Sequence, residues 1–141
     1  MRATYRALAL LIALSVVVQA AVIAAAWFTV LNDAEAGGVF DENSEYNWGH
    51  WVHSVVGMMV VPLLALVLLV VAFFAKVPGG VKWAAIVLGV VVLQIVLAFA
   101  GFIAPVLGVL HGLNAFALAG VASIAARKAS APAGARPAVP V

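Results

Sequence analysis

The chain has 141 residues, of which 67% are apolar and 9% charged, with a net charge of +2 and no cysteine. An average soluble domain is about 45–50% apolar and about 25% charged, and a chain this short has too much surface to hide so much apolar material from water. This excludes a soluble monomer, a disordered chain and a nucleic-acid binder; the missing cysteines exclude disulfides, thiolate metal sites, covalent c-type haem and a cysteine nucleophile.

What remains is an integral membrane protein. A spanning helix needs about 20 mostly apolar residues, and four stretches qualify: about 7–31, 51–75, 81–103 and 106–126. The first follows Arg2 and Arg6, a basic start that a secretory signal shares. Its apolar run continues unbroken to Leu31, too long for a signal core, so it reads as an uncleaved span. The loop over 32–50 is acidic, carries Gly37-Gly38, and reads equally as a lid or as a passive connector. Span two contains Pro62, which should kink it. Val77-Pro78-Gly79-Gly80 is a tight turn, and Ala104-Pro105 closes spans three and four into a hairpin. Residues 1–128 thus form a single four-span domain, and 129–141 a Pro/Ala-rich tail of the disordered kind.

The charges sort by side. All seven basic residues (Arg2, Arg6, Lys76, Lys82, Arg127, Lys128 and Arg136) flank one end of the spans, and all five acids (Asp33, Glu35, Asp41, Glu42 and Glu45) lie in the first loop. The positive-inside rule makes the basic side cytoplasmic. The expected fold is therefore an all-α, four-helix antiparallel bundle in the cell membrane, with both termini cytoplasmic. Trp27, Tyr46, Trp48 and Trp51 should mark the outer interface, and Tyr5 and Trp83 the inner one.

Polar groups inside spans are rare and need a reason. The three histidines, His50, His53 and His111, all fall near the outer ends of spans two and four. His53 lies five residues past Trp48, roughly 7.5 Å along a helix, and His111 six past Pro105, roughly 9 Å. Two imidazoles at one depth on parallel helices suit the axial ligands of a b-type haem, an apolar macrocycle that needs nitrogen ligands and a dry slot. Gly57, Gly108 and Gly112 beside them would make the slot. His50, one turn higher, is a candidate third group. Other readings stay open: a Zn²⁺ or Cu site using three imidazoles and the acidic loop, or histidines that only hydrogen-bond helices together, with Gly108 and Gly112 as a small-residue packing stripe. Gln19 and Gln94, near the middle of spans one and three, should bond to each other across the bundle, or Gln94 should face a cofactor or quinone. Asn114 should orient His111 or bond another helix, and Ser15, Ser54 and Ser123 should bond back to their own helices.

These residues resemble the haem A synthase family. Asn47-Trp48-Gly49-His50-Trp51-Val52-His53-Ser54 is similar to the place where a haem-ligating histidine opens the second helix of each four-helix half of that enzyme. Leu93-Gln94-Ile95-Val96-Leu97, a short proline-containing turn and Val109-Leu110-His111-Gly112-Leu113 look like the third and fourth helices, with the second ligand at His111. The resemblance covers about residues 48–126 and implies one four-helix half of an eight-helix protein, or a half-length form. The family's Glu-x-x-His-Arg pattern is broken here: His50 stands at the glutamate and Ser54 at the arginine. Haem binding thus carries over better than oxidation of a haem methyl group. The chain also looks like small four-span actinobacterial membrane proteins rich in alanine and valine.

The reading is a membrane protein holding haem b between His53 and His111, for electron transfer or haem handling beside a respiratory complex or other redox partner. A half-length haem A synthase-like enzyme is the second reading, and a cofactor-free accessory subunit the third. The glycine-bearing faces also suit a homo-oligomer. The topology is directly testable in a chain without native cysteine. A cysteine at Ser44 should react with an impermeant maleimide added outside intact cells, and one at Ser130 should not; the reverse pattern would invert the orientation.

Overall fold

The computed structural model describes residues 1–41 and 43–130; Glu42 and residues 131–141, most of the expected disordered tail, lie outside them. Every regular element among the described residues is helical. Four helices are long and apolar enough to cross a membrane: α1 (Arg2–Glu35), α2 (Trp48–Phe74), α3 (Gly80–Ile103) and α4 (Leu107–Ser130), with mean hydropathy between 1.6 and 3.0 in their most apolar windows. Only 11–22% of each window is buried by the chain itself. The remaining apolar surface needs lipid or another apolar covering.

The helices overrun the expected spans where the sequence offers no stop. At 34 residues, α1 is roughly 51 Å long against a hydrocarbon core of about 30 Å. It continues past Leu31 because no breaker occurs before Gly37, whose φ of +91° ends it. The α4 helix absorbs Ala129 and Ser130, the first two residues of the expected tail.

At the start of α2, the Asn47 side chain accepts from the amides of Gly49 and His50 and caps the helix. Its Nδ2 donates to the Ala26 carbonyl at 2.9 Å, fastening α2 to α1. Gly49 lets the two backbones meet there: a Cβ on it would lie 2.8 Å from Ala26 Cβ. Pro62 leaves its mark further along. Proline lacks an N–H and its ring crowds the carbonyl four residues back. The preceding residues, Val56–Val60, widen into a π-helical turn, and regular α-helix resumes at Val61. The expected kink at Pro62 thus takes the form of a local change of winding.

Helix α1 packs against α2 and α4, and α3 against the same two. The core is concentrated toward the turn between α2 and α3. Tyr5, Ile12, Leu68 and Val87 are fully buried there among Ala9, Ala65, Ala72, Ala84 and Ala122. These alanines bring the helices close where no water drives them together. Tyr5, expected to mark the inner interface, is fully buried within the chain at the level of the α2–α3 turn, and its hydroxyl donates to the Gly80 carbonyl at 3.0 Å. The phenol oxygen meets its need inside the protein because α1 begins deep against α3.

Replacing Gly49 by Ala should lower unfolding stability in detergent by about 1–3 kcal/mol, because the new methyl overpacks the α1–α2 contact. Gly120 faces open space, so Gly120→Ala is the matched control and should be neutral or slightly stabilising. Equal effects of the two changes would remove the close approach at Gly49 as a stabilising contact.

Candidate functional site

Toward the loop that joins α1 to α2, the helices part around a cavity of about 1000 Å³. His50, His53, Gly57, Gly108, His111 and Gly112 all border it, as do Gln19 and Gln94. Loop residues Phe40, Asp41, Ser44 and Glu45 line its loop-side end. Within the loop, Ser44 Oγ accepts from the Asp41 amide at 2.9 Å, and Asp41 Oδ1 accepts from the Asn43 amide at 2.9 Å.

The imidazoles of His53 and His111 face each other edge to face, with ring centres 6.3 Å apart and planes at 61°. Each is set by a glutamine on the neighbouring helix of its own hairpin. Gln19 Nε2 donates to the His53 carbonyl at 2.8 Å, while His53 Nδ1 lies 3.3 Å from the Gln19 carbonyl. Gln94 Nε2 donates to the His111 carbonyl at 3.0 Å, while His111 Nδ1 lies 3.0 Å from the Gln94 carbonyl. The two hairpins therefore repeat one reciprocal clamp. A carbonyl can only accept, so each Nδ1 carries the proton and each Nε2 keeps its lone pair.

The clamps differ in completeness. Gln94 Nε2 also reaches His111 Nε2 at 3.2 Å. Gln94 Oε1 accepts from Asn114 Nδ2 at 2.6 Å, and that same nitrogen donates to the Val90 carbonyl at 3.1 Å. Gln19 has only its bond to His53, and its buried Oε1 has no hydrogen-bond partner among the described residues.

Several expectations are corrected by this arrangement. Gln19 and Gln94 do not pair with each other; they lie on α1 and α3, across the cavity, and each serves a histidine. Of the two roles expected of Asn114, the structure shows the bond to another helix: its amide donates to Gln94 and to the Val90 carbonyl, not to the His111 ring. His50 turns to the rings of Trp27, at 5.4 Å edge to face, and Tyr46, at 5.9 Å. No group of three or more His, Cys, Asp or Glu side chains converges among the described residues, so the three-imidazole metal site with acidic loop ligands is not assembled. Ser15 does bond back to its own helix, its Oγ donating to the Ile12 carbonyl at 2.7 Å.

The glycines fall into different environments. A Cβ on Gly108 or Gly112 would meet nothing within 4 Å, so both leave open surface beside His111. A Cβ on Gly57 would come within 3.1 Å of Gln19 Nε2, so Gly57 makes room for the glutamine amide. Gly101 permits the α3–α4 hairpin to close, since its Cβ would sit 3.2 Å from Gly108 Cα.

Sequence reasoning identified the histidines and missed the clamps. The missing signal was register: within each hairpin, Gln19–His53 lies one step from Ala26–Asn47, and Gln94–His111 one step from Val90–Asn114, as residue numbers rise on one helix and fall on the other. Compared with protein-family models, curated proteins and solved structures, the chain matches none.

Hydrogen bonds between membrane helices average about 0.6 kcal/mol and reach about 1.7 kcal/mol. Gln94→Leu removes several such contacts and should destabilise the detergent-solubilised protein by about 2 kcal/mol; Gln19→Leu removes one and should cost about 0.6 kcal/mol or less. Unfolding in increasing dodecyl sulfate measures both, and a larger effect at Gln19 would reverse the ranking of the two clamps.

Proposed function

We propose that this chain is a cell-membrane haem protein: an antiparallel four-helix bundle with both termini cytoplasmic, carrying one haem b between His53 and His111. Its role is electron transfer or haem handling beside a larger redox complex. The observation that carries the reading is the histidine pair. Metal–imidazole bonds of about 2.0–2.1 Å on either side of one ion put the two ring centres roughly 6 Å apart; those of His53 and His111 are 6.3 Å apart.

The donor chemistry supports the same reading. A metal-ligating histidine characteristically gives its other N–H to a carbonyl or carboxylate, which fixes ring and tautomer. Gln19 and Gln94 supply those carbonyls. Ligation at His111 requires its Nε2 to exchange the Gln94 amide for the iron; the second amide hydrogen stays on the His111 carbonyl. Gly108 and Gly112 leave flat surface beside that ring. When bound, haem b supplies a one-electron couple whose potential its ligands and surroundings tune. The chain contributes orientation, a dry apolar wall and the loop that lines one end of the cavity.

A second reading rests on the same hydrogen bonds. These bonds join neighbouring helices, a role both histidines would also have in an accessory subunit that packs against larger membrane proteins.

A dithionite-reduced minus oxidised spectrum of the purified protein separates the two. The haem reading expects low-spin b-type bands, lost or severely weakened in His53→Ala and His111→Ala and largely kept in His50→Ala, whose ring packs on Trp27 and Tyr46. A protein that purifies folded and takes up no haem would favour the accessory subunit. Loss of the bands in His50→Ala with retention in His53→Ala would move the ligand to His50.

A further inference from the structure

The two hairpins repeat the glutamine–histidine clamp, and the repeat breaks at one position. Three residues past His111 stands Asn114, whose amide donates to Gln94 Oε1. Three residues past His53 stands Val56, which has nothing to donate. Among the described residues, Gln19 Oε1 is the buried side-chain polar atom left without a partner. Its orientation is fixed by the donation of Nε2 to the His53 carbonyl, so exchanging the amide oxygen and nitrogen would lose that bond and face two carbonyls together. A buried acceptor without a donor costs about 1–3 kcal/mol, and lipid offers no donor from outside.

We propose that Gln19 Oε1 is the recognition point for a membrane-soluble ligand that presents a hydroxyl donor on an apolar body, of the phenol or quinol kind, bound in the cavity between the hairpins. Three observations converge on it. Gln19 is nine-tenths buried yet borders the cavity. Gly57 lets the amide sit at this wall, since a Cβ there would come within 3.1 Å of Gln19 Nε2. The amide keeps one hydrogen bond where Gln94 keeps several, so a small shift that uncovers its oxygen to an arriving donor, with Nε2 still on the His53 carbonyl, disturbs no wider network. The rest of the wall selects an apolar body: Val16, Ile23, Met58 and Val61 surround this part of the cavity lining. The site does not depend on haem, since neither Gln19 Oε1 nor Gly57 is a ligand to it.

The test is isothermal titration of the detergent-solubilised protein with para-octylphenol and with its methyl ether, para-octylanisole, which has the same apolar shape and no donor. The wild-type chain should prefer the phenol by about three- to twentyfold, the range of one hydrogen bond inside a membrane protein. Val56→Asn supplies the partner that Asn114 supplies in the other hairpin, and Gln19→Leu removes the acceptor. Both should bring the phenol-to-anisole ratio to about one while leaving anisole binding intact. Equal binding of the two probes by the wild-type chain, as when water alone serves Gln19, overturns the proposal. An unchanged preference in Gln19→Leu does so as well. Should Val56→Asn fail to fold, the wild-type and Gln19→Leu ratios decide. The reduced-minus-oxidised spectrum reports on the histidine pair separately, so either reading can fail alone.

Discussion

A polar group inside an apolar medium must find its partner within the protein, and the reciprocal bonds between glutamine and histidine meet that constraint twice. In each hairpin an amide donates to a histidine carbonyl and an imidazole answers to the glutamine carbonyl. These bonds fix how far each helix can slide along its neighbour. They also bring His53 and His111 to the same cavity wall, because both clamps lie at corresponding depths of their hairpins. Removing water from around these groups is what gives the bonds directional authority; the apolar side chains around them can slide past one another at little loss.

The molecule is divided along its length by side-chain size. Toward the α2–α3 turn, alanines alternate with a few large residues and the helices close on each other. Toward the α1–α2 loop, the facing positions carry glycines and ring-bearing residues, and the space between the helices stays open. Close packing at one end holds the helices together, which allows the other end to remain apart. The turn that joins α2 to α3 is correspondingly tight, with Lys76 and Gly79 both in the left-handed region, at φ of 52° and 68°.

Helix α2 brings a local change of winding and the site geometry into one segment. The π-helical turn at Val56–Val60 precedes Pro62 and contains Gly57, the residue that accommodates the Gln19 amide. The widened turn separates His53 in register from the regular helix that packs in the closed half. In α4 no such break occurs, and His111, Asn114 and Leu118 follow one another on a continuous helix. Two hairpins with the same clamp thus differ in how completely it is bonded, one closed by Asn114 and the other ending at an amide oxygen without a partner among the described residues.

Composition and charge by themselves determined the helical, membrane-spanning character of the chain, the number of long apolar helices and their approximate limits, because apolar length and the absence of charge are local properties. The sequence also singled out the histidines, since an imidazole in an apolar run is conspicuous on its own. The partner of each polar group was decided only by the tertiary structure. Gln19 and Gln94 lay at plausible depths to meet each other, yet they sit on helices separated by the cavity, and the register of each hairpin handed them to the histidines. Burial of Tyr5 against Gly80, the turning of His50 toward Trp27 and Tyr46, and the separate uses of Gly57 and Gly108 follow the same logic. Each depends on which helix lies alongside and how far it has slid, and an apolar surface with no strong period encodes neither until polar groups lock in place.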